Sequence, residues 1–266
     1  MNSQTFELYF ILSISSFFVG LSRGGLGGGF GLASAVIAAQ ILEPIRAAAF
    51  LLPLLIISDP LSVWIYRKNI HWESLKVLLP GVIVGITLTY FLINFISNAV
   101  ISLIVGFLAV FLVLDTLINK LIKRPKKLIH PLIGVFLGGV GGFSSFIIHS
   151  GLPPIAMYLF PLSLSRQNFM GTVAVFFGIT NIIKLIPYFM LGLFDKEILR
   201  LTICFVPITF FGIFIGKLIN NKISDSIFFF VIYSTIFFSN YERVKRTIIM
   251  QLMNLMQSCS HGFNAI

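Results

Sequence analysis

The sequence predicts an all-α polytopic membrane protein, because its composition and its long apolar runs both point to that class. The 266 residues are 57% hydrophobic and only 11% charged, whereas soluble domains carry roughly 25% charged residues. Apolar runs of about 20 residues recur along the chain, and each can cross a hydrocarbon core as a helix. The clearest runs are Ala47–Tyr66, Val77–Phe95, Ala99–Ile118 and Phe169–Leu193. They are continuous rather than alternating, which excludes a β-barrel.

The first element is an apolar run, "LYFILSISSFFVGL", that leads into a glycine-rich stretch. The run at Leu8–Leu21 has no basic leader and no small-residue cleavage site, so we expect a mature helix rather than a signal peptide. "SRGGLGGGFG" follows at Ser22–Gly31 and contains six glycines. Since a glycine inside a helix costs about 1 kcal/mol relative to alanine, this stretch predicts a broken or re-entrant membrane helix.

A second break is predicted in the other half of the chain, within Gly138–Pro154. Gly151, Pro153 and Pro154 would end one helix just after His149, and a new helix would start near Pro154, because proline suits a first turn. Irregular backbone is tolerated at membrane depth only where it is buried in protein or lines a cavity. A helix start carries unpaired N–H groups and a positive dipole end, so two facing starts would form an anion cradle.

Close packing of helices through small residues is the alternative explanation of these glycines. We favour it for spaced pairs such as Gly138 and Gly142. The dense stretch at Gly24–Gly31 is different, since it lies beside Arg23 and is mirrored in the second half. That stretch favours the broken-helix interpretation.

Two halves of similar plan predict an internal repeat. The expected organisation is a first membrane repeat at residues 1–118, a basic linker at 119–130, a second membrane repeat at 131–239 and an atypical basic tail at 240–266. Each half opens with a glycine-rich element and continues with further helices, which gives about eight transmembrane helices as two four-helix repeats. The matches at an offset of 127 are Pro80 with Pro207, Gly85 with Gly212, Asn94 with Asn221 and Ser97 with Ser224. In secondary transporters with internal repeats, the substrate site lies between the halves.

The positive charges lie between the apolar runs and in the tail. The linker "NKLIKRPKKLIH", Asn119–His130, is the largest cluster, and positive loops mark the cytoplasmic side of a membrane protein. The net charge of +10 is therefore a topology signal and not a sign of nucleic-acid binding. The tail, "NYERVKRTIIMQLMNLMQSCSHGFNAI", predicts an interfacial helix with Arg243, Lys245 and Arg246 near lipid headgroups. A disordered end is the alternative.

Lys184 is a charge inside an apolar run, with Asn181 on the same helical face. Lysine at mid-membrane is costly and usually faces a cavity or a partner, which favours anion binding. A lysine that snorkels to the headgroups is the alternative.

Asp59, in "ISDPL", is the other intramembrane charge, and it aligns approximately with Asn181 in the repeat. It would pair with Lys184, accept a proton during transport, or cap the backbone that Pro60 frees. His149 and Ser150 precede the second break. The histidine would bind the anion or carry a proton, or donate a hydrogen bond to a backbone carbonyl.

Other chemistry finds no support in the sequence. Cys204 and Cys259 show no CxxC or Cys/His spacing, so we expect no metal and no cofactor. There is no GxSxG or HExxH motif for an intramembrane enzyme, and none for nucleotide binding. We therefore expect a transporter or channel for an anion, driven by an ion gradient or by the substrate's own gradient. A scaffold would need neither a membrane lysine nor paired helix breaks.

The chain resembles the TauE/SafE family of sulfite exporters over roughly Phe6 to Ser239. The first half carries "GLSRGGLGGGFGLASAVIAAQIL". The second carries the more specific "GGVGGFSSFIIHSGLPPIAMYLFPLSLSRQNFMGTVAVFFGITNIIKLIPYFMLG". The tail and the arginine at Arg23 are departures from the pattern. The resemblance implies four plus four membrane segments that arose by duplication.

The resemblance also implies the export of small sulfur-containing or organic acid anions across the bacterial inner membrane. An anion channel of the same fold is the first alternative, and an intramembrane enzyme is a weaker one. The expected partners are a small anion and the lipid bilayer, without nucleic acid, and a homodimer is compatible with the sequence. The candidate substrate-binding residues are Arg23, Gly24, Gly25, Gly27, Gly28, His149, Ser150, Gly151, Pro153, Asn181 and Lys184, with Asp59 as the proton-coupling candidate.

Overall fold

The computed structural model describes residues 3–26, 28–93, 95, 130–149 and 151–222, and its regular secondary structure there is helical throughout. The main helices are α1 (Ser3–Leu21), α2 (Gly28–Ala38), α3 (Pro44–Tyr66), α4 (Trp72–Leu92), α5 (Pro131–Ile148), α6 (Leu152–Leu159), α7 (Arg166–Met190) and α8 (Lys196–Lys222). Six spans within the described residues are long and apolar enough to cross a membrane. The predicted class of fold is therefore confirmed.

Part of the predicted plan lies outside the described residues. This applies to the run Ala99–Ile118, to most of the basic linker and to everything after Lys222, including the tail. The count of eight transmembrane helices therefore stays a prediction.

Polar caps set the starts of α4 and α7, and for that reason these two helices begin earlier than their apolar runs. Trp72 opens α4 because the His71 ring accepts the backbone N–H of Ser74, at 3.3 Å. Ser165 caps α7 in the same way through the backbone N–H of Asn168, at 3.2 Å. A side chain at the N-cap satisfies an otherwise unpaired donor, and hydropathy alone does not detect it.

Both predicted helix breaks are present. After α1, the buried turn Ser22–Leu26 is irregular, and Gly25 has φ 130°, a conformation that side chains rarely adopt. After α5, His149 ends the helix with φ 53°. The following helix α6 begins at Leu152, two residues before the expected start at Pro154, and Pro153 lies in its first turn.

Glycines bring two pairs of helices into close contact. A Cβ on Gly212 of α8 would lie 3.0 Å from the Cα of Gly20 in α1. In the second pair, a Cβ on Gly142 of α5 would lie 2.9 Å from the Cα of Val82 in α4, and Gly138 packs against Leu78 in the same way. The close-packing interpretation of Gly138 and Gly142 is therefore correct.

The order of these contacts gives the helix directions. Gly20 faces Gly212 and Gly24 faces Gly216, so α1 and α8 run parallel. Leu78 faces Gly138 and Val82 faces Gly142, so α4 and α5 also run parallel.

Helices α3 and α7 run antiparallel, since Gly171 lies against Tyr66 and Asn69 while Gly178 lies near Asp59. We call the end of the bundle where α3 ends and α7 begins the basic end. The end where α3 and α8 begin is the opposite end.

Candidate functional site

Three charged side chains lie in the interior of the described bundle. Arg23, Asp59 and Lys184 are 6%, 4% and 0% exposed. Arg23 lies in the irregular turn after α1, whereas Asp59 and Lys184 lie within α3 and α7. Because Lys184 is fully buried and its ammonium is bonded inside the protein, it does not snorkel to the membrane surface.

The first centre joins Arg23, Asp59 and Asn181. The Nε of Arg23 lies 2.9 Å from Oδ1 of Asp59, but neither atom has a hydrogen-bond partner among the described residues, so this ion pair lacks hydrogen-bond alignment. Asn181 donates to the other carboxylate oxygen at 2.7 Å. The guanidinium carbon also lies 5.5 Å from the centre of the Phe177 ring. The structure thus pairs Asp59 with Arg23 instead of Lys184, and its carboxylate contacts side chains outside α3.

The second centre surrounds Lys184, one turn further along α7. Its Nζ donates to the backbone carbonyl and to the hydroxyl of Ser145, both at 3.1 Å. It also lies 2.9 Å from Nδ1 of His149. The other ring nitrogen, Nε2, lies 3.0 Å from the carbonyl oxygen of Ala48 in α3.

These contacts assign the hydrogen on the His149 ring. A backbone carbonyl only accepts hydrogen bonds, so Nε2 must carry the hydrogen and donate to Ala48. Nδ1 then accepts from the ammonium of Lys184. His149 thereby links the end of α5 to both α3 and α7.

A polar row on α3 holds the first break. Ser62 donates to the Arg23 carbonyl at 3.0 Å, and Tyr66 donates to the Gly24 carbonyl at 3.3 Å. Together with Asp59, these residues occupy positions i, i+3 and i+7, which share one face of a helix.

A matching polar row on α7 holds the second break. Asn181, Lys184 and Tyr188 have the same spacing, and each is 122 residues after its counterpart in α3. Lys184 donates to the Ser145 carbonyl, and Tyr188 donates to the carbonyl of Phe146. These carbonyls are in turn 122 residues after those of Arg23 and Gly24. The two breaks are therefore held by equivalent contacts.

The remaining predicted site residues serve the breaks in different ways. Gly24 packs against Gly216 of α8, where a Cβ would lie 2.9 Å from the glycine Cα. Gly28 opens α2, and Pro153 is buried in the first turn of α6. A Cβ on Gly151 would lie 3.0 Å from the Phe177 ring, which also contacts Arg23. Gly27 and Ser150 lie outside the described residues.

Sequence reasoning missed several partners in these centres. Ser145 and Phe177 give no signal in an apolar run, because serine and phenylalanine are ordinary there. Tyr66 and Tyr188 lie near helix ends, where tyrosine usually marks a membrane interface. The spacing of each polar row was the signal that was available.

The donor set of the described residues does not suit a metal ion. Nowhere in those residues do three His, Cys, Asp or Glu side chains come close enough to hold one. The charged interior groups are mainly cationic, which suits an anion better than a metal.

The fold and the two centres define a polytopic helical membrane protein with charged groups enclosed between two broken helices. The chain belongs to the TauE/SafE family: the family model described as "Sulfite exporter TauE/SafE" matches residues 12–241. This is a family of membrane transporters. No curated protein and no solved structure matches the chain.

Proposed function

We propose that the protein is a secondary transporter that exports small anions, such as sulfite, sulfonates or related organic acid anions, across the bacterial inner membrane. One observation carries this proposal: the described interior holds two cationic side chains, Arg23 and Lys184, against one carboxylate, Asp59. At their ordinary charges they sum to +1. Since an uncompensated charge away from water is costly, a bound anion would complete the balance.

The geometry of the first centre supports exchange of partners. Arg23 and Asp59 lie at ion-pair distance without an aligned hydrogen bond. An oxyanion can accept two N–H bonds from a guanidinium in parallel, which is a stronger arrangement. We therefore infer that an arriving anion binds the guanidinium of Arg23 in place of Asp59, whose carboxylate can then accept a proton.

The equivalent polar rows support a transport cycle between two repeats. If the two halves of the chain are exchanged, α1 corresponds to α5 and α8 to α4, so the α1–α8 contact corresponds to the α5–α4 contact. In the same exchange α3 corresponds to α7, which runs antiparallel to it. We infer inverted repeats, related by an axis in the membrane plane. Transporters of this design alternate access by moving one repeat against the other around a central site.

Charge distribution supports an orientation with the basic end in the cytoplasm. The described charges at that end are Arg67, Lys68, Lys76, Arg166, Lys217 and Lys222, with Glu73 as the carboxylate. Those at the opposite end are Arg46, Lys196 and Arg200, with Glu7, Glu43, Asp195 and Glu197. The excess of lysine and arginine marks the cytoplasmic side.

Flux measurements on the purified protein in lipid vesicles test this function. Radiolabelled sulfite, thiosulfate, sulfonates and small carboxylates would be compared with and without a pH gradient. Saturable flux that responds to the gradient supports a transporter. Flux that rises linearly with concentration and ignores the gradient identifies the channel alternative. The absence of flux for every anion tested would overturn the proposal.

A further inference from the structure

A cavity of about 710 Å³ opens at the basic end, and its lining does not include Arg23, Asp59 or Lys184. We call it the basic vestibule. Its lining residues are Trp64, Ile65, Tyr66, Arg67, Lys68, Asn69, Ser165, Arg166, Gln167, Met170, Lys217 and Asn220. They come from the end of α3, the start of α7 and the last turns of α8. The cavity is therefore shared by both repeats.

Positive charge dominates the walls of the basic vestibule. Its lining includes Arg67, Lys68, Arg166 and Lys217 but no carboxylate. Within the described part of the chain, none of Arg67, Lys68 and Lys217 forms an ion pair with a carboxylate. A concave surface of one charge sign raises the local concentration of the opposite ion.

A chain of hydrogen bonds separates the basic vestibule from the first centre. Arg166 donates from Nε to the side-chain oxygen of Asn220 at 3.1 Å. Asn220 donates to the hydroxyl of Tyr66 at 2.9 Å, and Tyr66 donates to the carbonyl of Gly24 at 3.3 Å. Gly24 directly follows Arg23, so this chain of hydrogen bonds ends at the residue next to Arg23.

We propose that the basic vestibule is a second, shallower anion site, which collects a small oxyanion at the basic end before it reaches Arg23. The identity of the ligand rests on the proposed function. Sulfite or a sulfonate presents several acceptor oxygens, and the lysine and arginine donors are suited to them. Anionic lipid headgroups share this chemistry, so the experiment must separate the two sources.

The alkylation rate of a cysteine placed in the basic vestibule reports the electrostatic potential of the vestibule, and it does not depend on transport. Gln167→Cys would be placed in a Cys204→Ser, Cys259→Ser background, and the rates with anionic iodoacetate and neutral iodoacetamide would be compared. We expect Lys68→Gln with Lys217→Gln to lower the iodoacetate-to-iodoacetamide rate ratio by roughly 3- to 10-fold at low ionic strength. The matched pair at the opposite end, Lys196→Gln with Arg200→Gln, should leave the ratio unchanged. An unchanged ratio in the vestibule pair would overturn the proposal.

Sodium methanesulfonate, compared with sodium chloride at equal ionic strength, then tests occupancy by a small anion. It should slow the alkylation of Gln167→Cys by iodoacetamide, and in the vestibule pair this protection should be lost. The measurement would be made in vesicles of phosphatidylcholine alone and with added phosphatidylglycerol. No protection in phosphatidylcholine would refute an anion site. An alkylation rate that changes only when phosphatidylglycerol is added would also refute it, and would assign the cations to lipid headgroups.

Sulfite flux separates this proposal from the transport function. The vestibule pair should raise the KM for sulfite presented at the basic end about 3- to 10-fold, with little change in kcat or in flux from the other side. A KM equal to that of the wild type would contradict the collecting role. If no anion is transported but methanesulfonate still protects the cysteine, the proposed function fails while the vestibule site stands.

Discussion

The two helix breaks share one scaffold but carry different charges. In each, a residue of the polar row and a tyrosine four positions later hold two successive backbone carbonyls: Ser62 and Tyr66 at the first break, Lys184 and Tyr188 at the second. At the first break, the ion pair lies beside these hydrogen bonds. At the second break, the lysine itself donates one of them. Hydrogen bonds to the carbonyls therefore form a framework common to both breaks, and the charged side chains are distributed unequally upon it.

Lys184→Met should give the largest effect. Truncating one member of a buried, hydrogen-bonded charged group costs about 2–5 kcal/mol, so sulfite flux should fall at least about 30-fold, at 1.4 kcal/mol per factor of ten. Flux into vesicles is the measurement, with Lys196→Met at the exposed opposite end as control.

Lys184→Ser sharpens this test, because it installs the residue that the first break uses at the equivalent position. We expect the serine to recover part of the thermal stability lost in Lys184→Met while flux stays low. Normal flux in Lys184→Ser would show that only the scaffold contact matters.

Arg23→Gln should destabilise the protein by about 3–5 kcal/mol, since it leaves the Asp59 carboxylate buried without its cation. Adding Asp59→Asn should restore more than half of the loss. Unfolding of the four proteins in detergent gives the coupling energy. Additive losses would mean that the ion pair is not a coupled unit.

Asp59→Asn by itself makes the two centres more alike, because asparagine then stands at both equivalent positions. If Asp59 carries a proton in the cycle, sulfite should cross without its accompanying proton, and a pH gradient should no longer drive uptake. Proton flux and sulfite flux would be recorded together. An equal proton-to-sulfite ratio in the wild type and Asp59→Asn would leave Asp59 with a structural role only.

Tyr66→Phe and Tyr188→Phe should have the smallest effects. Each removes one hydrogen bond to a break carbonyl, which is worth about 1 kcal/mol, and Tyr66→Phe also removes the hydrogen bond that Asn220 donates to the Tyr66 hydroxyl. Thermal unfolding should therefore show a loss in both variants, with the larger loss in Tyr66→Phe. A loss confined to one variant would show that the two breaks are not held by equivalent contacts.

Local chemistry accounts for what could be predicted about the site. Lys184 and Asp59 stand out because a charge within an apolar run must find a partner or a cavity. The glycines and prolines locate both breaks because those residues disfavour a continuous helix. The pairing of Asp59 with Arg23 was missed, because the approximate repeat alignment suggested Lys184 as its partner.

The glycines also show where prediction reached its limit. Gly25 needs its positive φ, as a break requires. Gly24, its neighbour, contacts the backbone of α8 almost 200 residues later in the chain. Composition does not distinguish the two glycines, because the residues around them do not indicate which helix will pack against them.

Residue types along the chain were enough to predict the membrane class, the two breaks and the presence of buried charge, because lipid offers no hydrogen bonds and makes each of these features visible in the sequence. Packing of the helices was needed to show that Arg23 contacts Asp59, that His149 accepts from Lys184, and that four cations line one cavity at the basic end. Those contacts join helices that are distant in the chain. Their geometry follows from how the two breaks and α8 pack against α3 and α7, which no local pattern encodes.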